Sequence, residues 1–220
     1  MFAKVAGYSG TLVMLSLGLA ACGNGTGPEG SGDVQVLLSQ RVVASSVLAA
    51  DVAESGGAAI SLADVESIEV TVTGVQALLR GEDEDGGGWV DLDLAPEALN
   101  PIDLLSLPGS GLEIANGNLA VGTYGNVRIF FQDPANISLA SDVSVGPSEF
   151  LVTDNAHPLV IPSGLQTGIK IPTAGFEVDE TVAAETLTIE FDAALSVQPV
   201  TATGNGVLMM SPVLTESSSQ

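Results

Sequence analysis

The sequence predicts an all-β protein, an antiparallel β-sandwich that follows an N-terminal leader and a flexible tether. Three observations support this fold class. Short segments alternate apolar and polar residues, which is the pattern of half-buried strands. Glycine and proline, with 26 and 11 residues, separate these segments at short intervals. No stretch keeps a helical spacing over several turns, so packing of two sheets is the expected way to build a core.

The first 21 residues have the features of a lipoprotein signal peptide. Lys4 supplies the positive charge, and residues 11–19 form an apolar segment. As a helix this segment would be about 14 Å long, half of the ~30 Å that a bilayer core requires. Leu19-Ala20-Ala21-Cys22 is the pattern of a bacterial lipobox, and Cys22 is the only cysteine. We therefore predict cleavage before Cys22 and a lipid anchor, with acyl chains such as palmitate, on its sulfur.

Residues 22–33 are predicted to be a Gly/Ser-rich tether, because they show no hydrophobic periodicity. Gly23, and not Asp, follows the acylated residue, which favours export to the outer membrane in a host with two membranes. We therefore expect a lipid-anchored protein of the bacterial cell envelope, at the outer membrane or cell surface. Residues 34–214 are assigned to the β-sandwich domain and residues 215–220 to a polar tail.

The charge of the chain limits its partners. Five Lys and Arg residues face 27 Asp and Glu residues, and the formal net charge is −22. Such a protein repels nucleic acid and anionic headgroups, so we expect contact with the membrane through the lipid alone. With Cys22 acylated and His157 the single histidine, an ordinary zinc site is excluded, and no nucleophile elbow is present for a serine hydrolase. We expect a protein that is not an enzyme.

The strands follow in order along the chain. They are predicted at residues 33–39, 68–73, 89–94, 118–121, 124–131, 186–192 and 207–214, with shorter candidates at 149–153, 158–161 and 168–171. A shift of apolar phase predicts a bulge at Gly74, and residues 101–107 are expected to form a turn or one helical turn. In the strand 186–192, Asp192 is expected to point outward. The state of residues 41–54 is left open.

Several motifs, taken in order, resemble one bacterial lipoprotein family, the domain of unknown function 4382. The matching segments are IEVTVTGV at 68–75, Trp89, DLL at 103–105, GTY at 122–124, VRI at 127–129, PSGLQTGIKI at 162–171, EFDA at 190–193, SV at 196–197, TGNG at 203–206 and PV at 212–213. The resemblance covers roughly residues 65–214. It implies a surface lipoprotein with an immunoglobulin-like or transthyretin-like Greek-key sandwich, and it implies no activity.

Structural roles are predicted for Tyr124, Arg128, Lys170 and Asp192. Tyr124, in the Gly-Thr-Tyr sequence before a strand, resembles a tyrosine corner, in which the phenol binds a backbone carbonyl. Arg128 and Lys170 lie within strands and are expected to pair across strands with carboxylates such as Glu190 or Asp192. Trp89 is expected in the core.

An acidic loop offers a candidate Ca²⁺ site. Residues 82–85 are Glu, Asp, Glu and Asp, and the strand that follows adds two further carboxylates. Carboxylate oxygens are ligands that Ca²⁺ prefers, and the candidates are Asp83, Asp85, Asp91 and Asp93. The spacing does not match an EF-hand loop, and a solvated acidic loop is the alternative.

The sequence thus predicts a non-catalytic, lipid-anchored β-sandwich protein with a binding or structural role at the cell surface. One alternative is an adhesin or fimbrial-type subunit that exchanges its terminal strand, residues 207–214, with a neighbour. Another is a Ca²⁺-dependent binding module, for carbohydrate for example, that works through residues 82–93. The first two need no cofactor, and the third needs Ca²⁺.

Overall fold

The structure is a computed structural model that describes residues 30–41, 60–83, 87–146, 149–153, 155–162, 164, 166–197, 201–202 and 208–217. The signal peptide, Cys22 and most of the tether lie outside these residues. So do Asp85, the TGNG motif at 203–206 and most of the unassigned segment 41–54. In the described part, no helix is long and apolar enough to cross a membrane.

The described residues form sixteen strands. They are β1 (Ser31–Gln40), β2 (Val65–Val70), β3 (Val72–Leu79), β4 (Trp89–Leu94), β5 (Ile102–Asp103), β6 (Leu112–Ala120), β7 (Gly122–Phe131), β8 (Ala135–Leu139), β9 (Val143–Gly146), β10 (Glu149–Leu151), β11 (His157–Val160), β12 (Ile169–Val178), β13 (Glu185–Phe191), β14 (Thr201–Ala202), β15 (Leu208–Met209) and β16 (Leu214–Glu216). Two 3₁₀ turns (Leu62–Asp64 and Pro96–Leu99) and one short helix, α1 (Ala193–Val197), complete the described elements.

The strands form two main sheets that pack as a sandwich. The larger has the order β12-β7-β3-β4-β6-β1-β13-β16, and the smaller has the order β14-β15-β11-β8-β2-β5. Strands β9 and β10 form a separate pair. The two ends of the larger sheet lie close together. The Ala174 amide of β12 donates a hydrogen bond to the Glu216 carboxylate of β16. The sandwich is therefore close to a barrel.

Alternation of apolar residues explains the core. Val34, Val36 and Leu38 of β1 are buried, and the polar Asp33 and Gln35 beside them are more exposed. The same pattern recurs in β7 and in β13, where every second residue is almost inaccessible to solvent. Full burial of each such side chain contributes about 1.5–3 kcal/mol. The all-β sandwich, these three strands and the bulge at Gly74, where the β3–β7 register shifts, are confirmed.

The strand pairing differs from the prediction in one respect. Most ladders are antiparallel, but β1 pairs with β13 in parallel, and β11 pairs with β15 in parallel. Parallel neighbours require a long connection between the strands. Residues 41–184 supply that connection between β1 and β13, so hydrophobic pattern alone does not reveal this pairing. The first strand also begins at Ser31, inside the segment predicted as tether.

The prediction of one continuous closing strand at residues 207–214 is wrong. The chain instead forms β15 in the smaller sheet, crosses between the sheets, and forms β16 in the larger one. Pro212 lies in the crossing segment and has no N–H for a ladder, which explains the interruption. Residues 101–107 contain the short strand β5 followed by a turn. The segment 168–171 extends to Val178 as β12, past Pro172 and a register shift.

Candidate functional site

The outer face of the larger sheet carries a row of polar side chains across four strands. The register places Lys170 of β12 opposite Arg128 of β7, Arg128 opposite Gln76 of β3, and Gln76 opposite Asp91 of β4. We call these four residues the polar row. Their strand neighbours Ala77, Val127 and others point inward and are buried, so the alternation of each strand sends the polar row to the solvent side.

Hydrogen bonds and an aromatic contact hold Arg128 in place. Its Nε donates to the Gln76 side-chain oxygen, and the Gln76 amide donates to Asp91. The guanidinium lies 4.2 Å from the centroid of the Trp89 ring and 5.2 Å from that of Phe130. Such cation–π contacts contribute about 0.5–2 kcal/mol each. Arg128 thus crosses β3 and lies flat on the sheet.

Trp89 is half-buried on this outer face, and its prediction as a core residue is wrong. Trp89 is two residues before Asp91 in β4 and therefore shares its outer face, where Arg128 covers one side of the ring. Phe130 lies opposite Gly74 and beside Gly168. A Cβ atom at either glycine would approach the ring to 3.3 or 3.2 Å, so the two glycines give Phe130 the space to lie along the face.

Three of the four Lys and Arg residues in the described part lie on this same face. Arg80, at the end of β3, passes beside Gly125 and donates from its guanidinium to the Ala174 carbonyl of β12 at 3.0 Å. Arg128 and Lys170 are the other two. In a chain of net charge −22, this is a local concentration of positive charge.

A shallow groove of about 440 Å³ continues the polar face over β6 and β1. Its polar lining residues are Asp33, Gln35, Glu113, Asn116 and Asn118. Asn116 and Asn118 donate to Glu113 and Asp33 at 2.6 and 3.1 Å, and Gln35 also donates to Glu113. The backbone of Gly117 also lines the groove, and a Cβ atom at this position would lie only 2.9 Å from the buried Leu92 side chain.

The structure does not bring the candidate Ca²⁺ ligands together. Asp91 accepts from Gln76, Asp93 lies opposite Asn116 of β6, and Asp83 lies in the hairpin loop. Asp85 is outside the described residues. Within those residues, no group of three or more His, Cys, Asp or Glu side chains is arranged to hold a metal ion.

Tyr124 is buried at the start of β7. Its hydroxyl donates to the Ala120 carbonyl at 3.1 Å, across the turn that joins β6 to β7. Its ring stacks on Phe176 of β12 at a centroid distance of 5.3 Å. Burial raises the pKa of the phenol. This is the backbone hydrogen bond expected of a tyrosine corner, and it ties two adjacent strands together.

Asp192 does not point outward, and that prediction is wrong. Its side chain is almost fully buried, and one carboxylate oxygen accepts from the Leu195 amide at 3.0 Å, as a residue at a helix N-terminus does. The other oxygen lies 3.8 Å from Arg41. The strand has ended at Phe191, so the period of two no longer sets the direction of residue 192.

Ser196 completes the surroundings of Asp192. Its hydroxyl donates to the Asp192 carbonyl at 2.6 Å and accepts from the Val213 amide at 2.8 Å. We call Asp192, Ser196, Arg41 and the backbone of Val213 the Asp192 cluster. It joins the end of β13, helix α1 and the segment that leads into β16.

The predicted pairing of Arg128 with Glu190 or Asp192 is also wrong, because Arg128 contacts Gln76, Trp89 and Phe130 instead. Glu190 lies on β13 and accepts from Ser217 at 2.9 Å. The pairing of Lys170 stays a prediction. Sequence alternation assigns the outward side of each strand, but the order of the strands in the sheet decides which outward residues meet. For the same reason, the sequence did not identify Gln76, Phe130, Asn116 or Asn118 as candidate site residues. An outward position in a strand is their only distinguishing feature in the sequence.

Comparison with known proteins gives one match. A family model described as Domain of unknown function (DUF4382) matches residues 58–212, more than half of the chain. No match is found among curated proteins or among solved structures. The family match includes β2 through β15, and with them the polar row and Asp192, but neither β1 nor β16.

Proposed function

Because the chain belongs to the DUF4382 family, whose description assigns no activity, we propose a function from the geometry. The protein is a non-catalytic binding protein, held at the bacterial cell envelope by a lipid on Cys22. It presents the outer face of the larger sheet to a ligand.

The observation that carries this proposal is the concentration of rare cations beside aromatic rings. Three of the four described Lys and Arg residues share one face with half-buried Trp89 and Phe130. Cations beside aromatic rings offer a ligand both charge-assisted hydrogen bonds and apolar surface. In a strongly acidic chain, a face that gathers such groups supports a binding role.

The groove over β6 and β1 supports the same interpretation. Its carboxylate and amide groups are partly exposed and offer both donors and acceptors to a ligand. Concave surfaces with a few converging polar groups are the usual form of ligand sites. The groove adjoins the polar row through β4, so the two parts form one continuous face.

The proposed anchor determines where this face is used. Strand β1 begins at Ser31, so eight residues separate Cys22 from the folded domain. Fully extended, they reach at most about 29 Å. The lipid would therefore hold the domain close to the bilayer surface. Mass spectrometry of the mature N-terminus tests the anchor: a Cys22→Ser variant should lose the lipid mass and leave the membrane fraction, and an unmodified Cys22 in the native protein would disprove it.

The binding face is tested with an array of envelope polysaccharides and peptides, probed with the full chain in detergent micelles. The double variant Gln35→Ala plus Asn118→Ala alters the groove. The matched control, Asn136→Ala plus Ser138→Ala, alters outward positions of β8 in the smaller sheet. We expect binding to be lost in the first and kept in the second. Equal binding by both variants, or no binding by the native protein, would contradict the proposal.

The two alternative functions have less support. The segment proposed for exchange with a neighbour is divided between two sheets, and β16 contributes only Leu214–Glu216 to the larger one. For the Ca²⁺-dependent module, the described candidates Asp83, Asp91 and Asp93 do not form a group around one position.

A further inference from the structure

We infer that the groove over β6 and β1 binds one ring of an uncharged sugar. This inference rests on the proposed function, because it names the ligand class for part of the same face. Two pairs of polar side chains form the walls of the groove. Asp33 of β1 lies opposite Asn118 of β6, and Gln35 lies opposite Asn116. Residues two positions apart on a strand share a face, so the two pairs are about 7 Å apart.

The floor between these two pairs is formed by backbone. Val34 and Gly117 lie opposite each other there, and both line the groove. The Val34 side chain is buried in the core, and Gly117 has no side chain. A sugar ring can therefore lie on this floor and direct the hydroxyl groups of its rim toward both pairs.

A bulge in β6 adds Glu113 to the same face. With regular alternation, Glu113 would share the inward side of Ala115. The β1–β6 register instead shifts at Ile114, and Ile114 and Ala115 are both buried. Glu113 is thereby turned to the side of Asn116, which donates to it at 2.6 Å. Bulges that redirect a side chain in this way are common next to active sites.

Hydrogen bonds fix the direction of the amide groups in the groove. Asn118 donates to Asp33 at 3.1 Å. Asn116 and Gln35 donate to different oxygens of Glu113. An amide carries two N–H donors and one carbonyl acceptor, so one bond to a carboxylate leaves it further groups for a ligand. A sugar hydroxyl both donates and accepts, and it matches such fixed groups with little loss of side-chain freedom on binding.

The charge of the groove favours a ligand without charge. Asp33 and Glu113 line it, and the chain has a net charge of −22, so an anionic ligand is repelled. A cationic ligand would compete with the two amide groups that already donate to the Glu113 oxygens. An uncharged sugar avoids both costs, because its hydroxyl groups form hydrogen bonds with amides and carboxylates alike.

Size and strand order favour a sugar over a peptide. The groove volume is about 440 Å³, and small-molecule sites measure roughly 300–1,000 Å³. Residues 34–38 of β1 are paired with β13 on one side and with β6 on the other, so their backbone cannot pair with an extended peptide. The groove is therefore suited to a compact ligand that side chains recognise.

Isothermal titration calorimetry on the full chain in detergent micelles tests the inference. The probes are two matched pairs of tetrasaccharides. One pair is α-1,4-linked galactotetraose and tetragalacturonate, and the other is N-acetylchitotetraose and its de-N-acetylated amine. The test variants are Asn118→Leu and, from the other polar pair, Gln35→Met, which keep the size of the side chain and remove its hydrogen bonds. The matched control is Asn136→Leu, the same change at an exposed position of β8 in the smaller sheet. Thermal melts check that each variant folds.

We expect at least one uncharged tetrasaccharide to bind more tightly than its charged counterpart. Each test variant should weaken that binding about tenfold, because a hydroxyl group of the bound sugar loses its partner, and Asn136→Leu should weaken it less than about twofold. The affinity should change little between about 0.05 and 0.5 M NaCl, because an uncharged ligand has no ionic attraction for salt to screen.

Equal losses in the test variants and the control would overturn the inference. Tighter binding of the acid or of the amine, or no binding of either uncharged probe, would overturn it as well. In each of these cases the proposed function stands if a member of the polysaccharide and peptide array binds the native protein and not the Gln35→Ala plus Asn118→Ala variant. If no member of the array does so, both fail.

Discussion

The polar row lies on strands of the larger sheet and the Asp192 cluster lies just beyond the ends of its strands, and the two have different surroundings. In the Asp192 cluster, Asp192 and Ser196 are buried, and their oxygens contact backbone groups of three neighbouring segments. In the polar row, Lys170 is exposed and Arg128 is half-buried, and two cations face each other.

This difference distinguishes a structural polar group from one available to a ligand. Buried polar atoms must find partners within the protein, because leaving one unsatisfied costs about 1–3 kcal/mol. Partly exposed groups have no such requirement, since water can satisfy them until a ligand arrives. Changes in the Asp192 cluster should therefore alter stability, and changes in the polar row should alter binding.

The largest expected effect is that of Asp192→Ala. The change removes the acceptor of the Leu195 amide and the partner of Arg41. We expect a loss of about 2–3 kcal/mol in the free energy of unfolding, and a fall in Tm of roughly 4–12 °C. Urea denaturation and calorimetry measure both. Asp192→Asn keeps an oxygen acceptor and should lose about half as much; equal losses would show that the cap is unimportant.

Tyr124→Phe comes next. It removes the hydroxyl that donates to the Ala120 carbonyl and keeps the ring stacked on Phe176. We expect the free energy of unfolding to fall by about 1 kcal/mol, as measured by urea denaturation at pH 7. A change below ~0.3 kcal/mol would mean that water replaces the bond at no loss, and that Tyr124 contributes through its ring alone.

The same phenol gives a prediction for alkaline pH. Because burial raises the pKa of Tyr124, the folded state keeps a proton that the unfolded state releases near pH 10. The free energy of unfolding should therefore fall as pH rises above the ordinary tyrosine value. Denaturation curves from pH 8 to pH 11 should show a smaller decline for Tyr124→Phe than for the native protein. Parallel declines would contradict the assignment.

Lys170→Gln should have a small effect on stability. Lys170 is exposed, and an exposed charge contributes little, so we expect the free energy of unfolding to change by less than about 0.5 kcal/mol. Urea denaturation without ligand measures this. A loss above ~1 kcal/mol would place Lys170 with the Asp192 cluster as a structural residue.

Asp64 represents an intermediate case, a hydrogen-bonded carboxylate near the surface. Hydrogen bonds from Ser61 and from Ser141 lower its pKa. The depressed pKa adds stability above the unfolded-state value near 4, and this contribution is lost as pH falls through the folded-state value. Unfolding at pH 7 and at pH 2.5 should show a smaller acid-induced loss for Asp64→Asn than for the native protein. An identical loss would contradict this expectation.

Local pattern was sufficient to predict most of the strands. Alternation identified β1, β7 and β13 together with the faces that they bury, because side-chain direction in a strand depends only on the position within it. The bulge at Gly74 was also visible, because the apolar phase of the strand shifts there. The family resemblance rested on such local motifs, and the match to residues 58–212 confirms it.

Strand order and register were decided by the tertiary structure. The position of Arg128 between Lys170 and Gln76, the parallel pairing of β1 with β13, and the burial of Asp192 all depend on which distant segments meet. These contacts join residues that are tens to more than a hundred positions apart, and they are selected by packing of the whole core. The sequence by itself therefore determined the fold class and the outward faces, while the three-dimensional fold decided which outward side chains form a site.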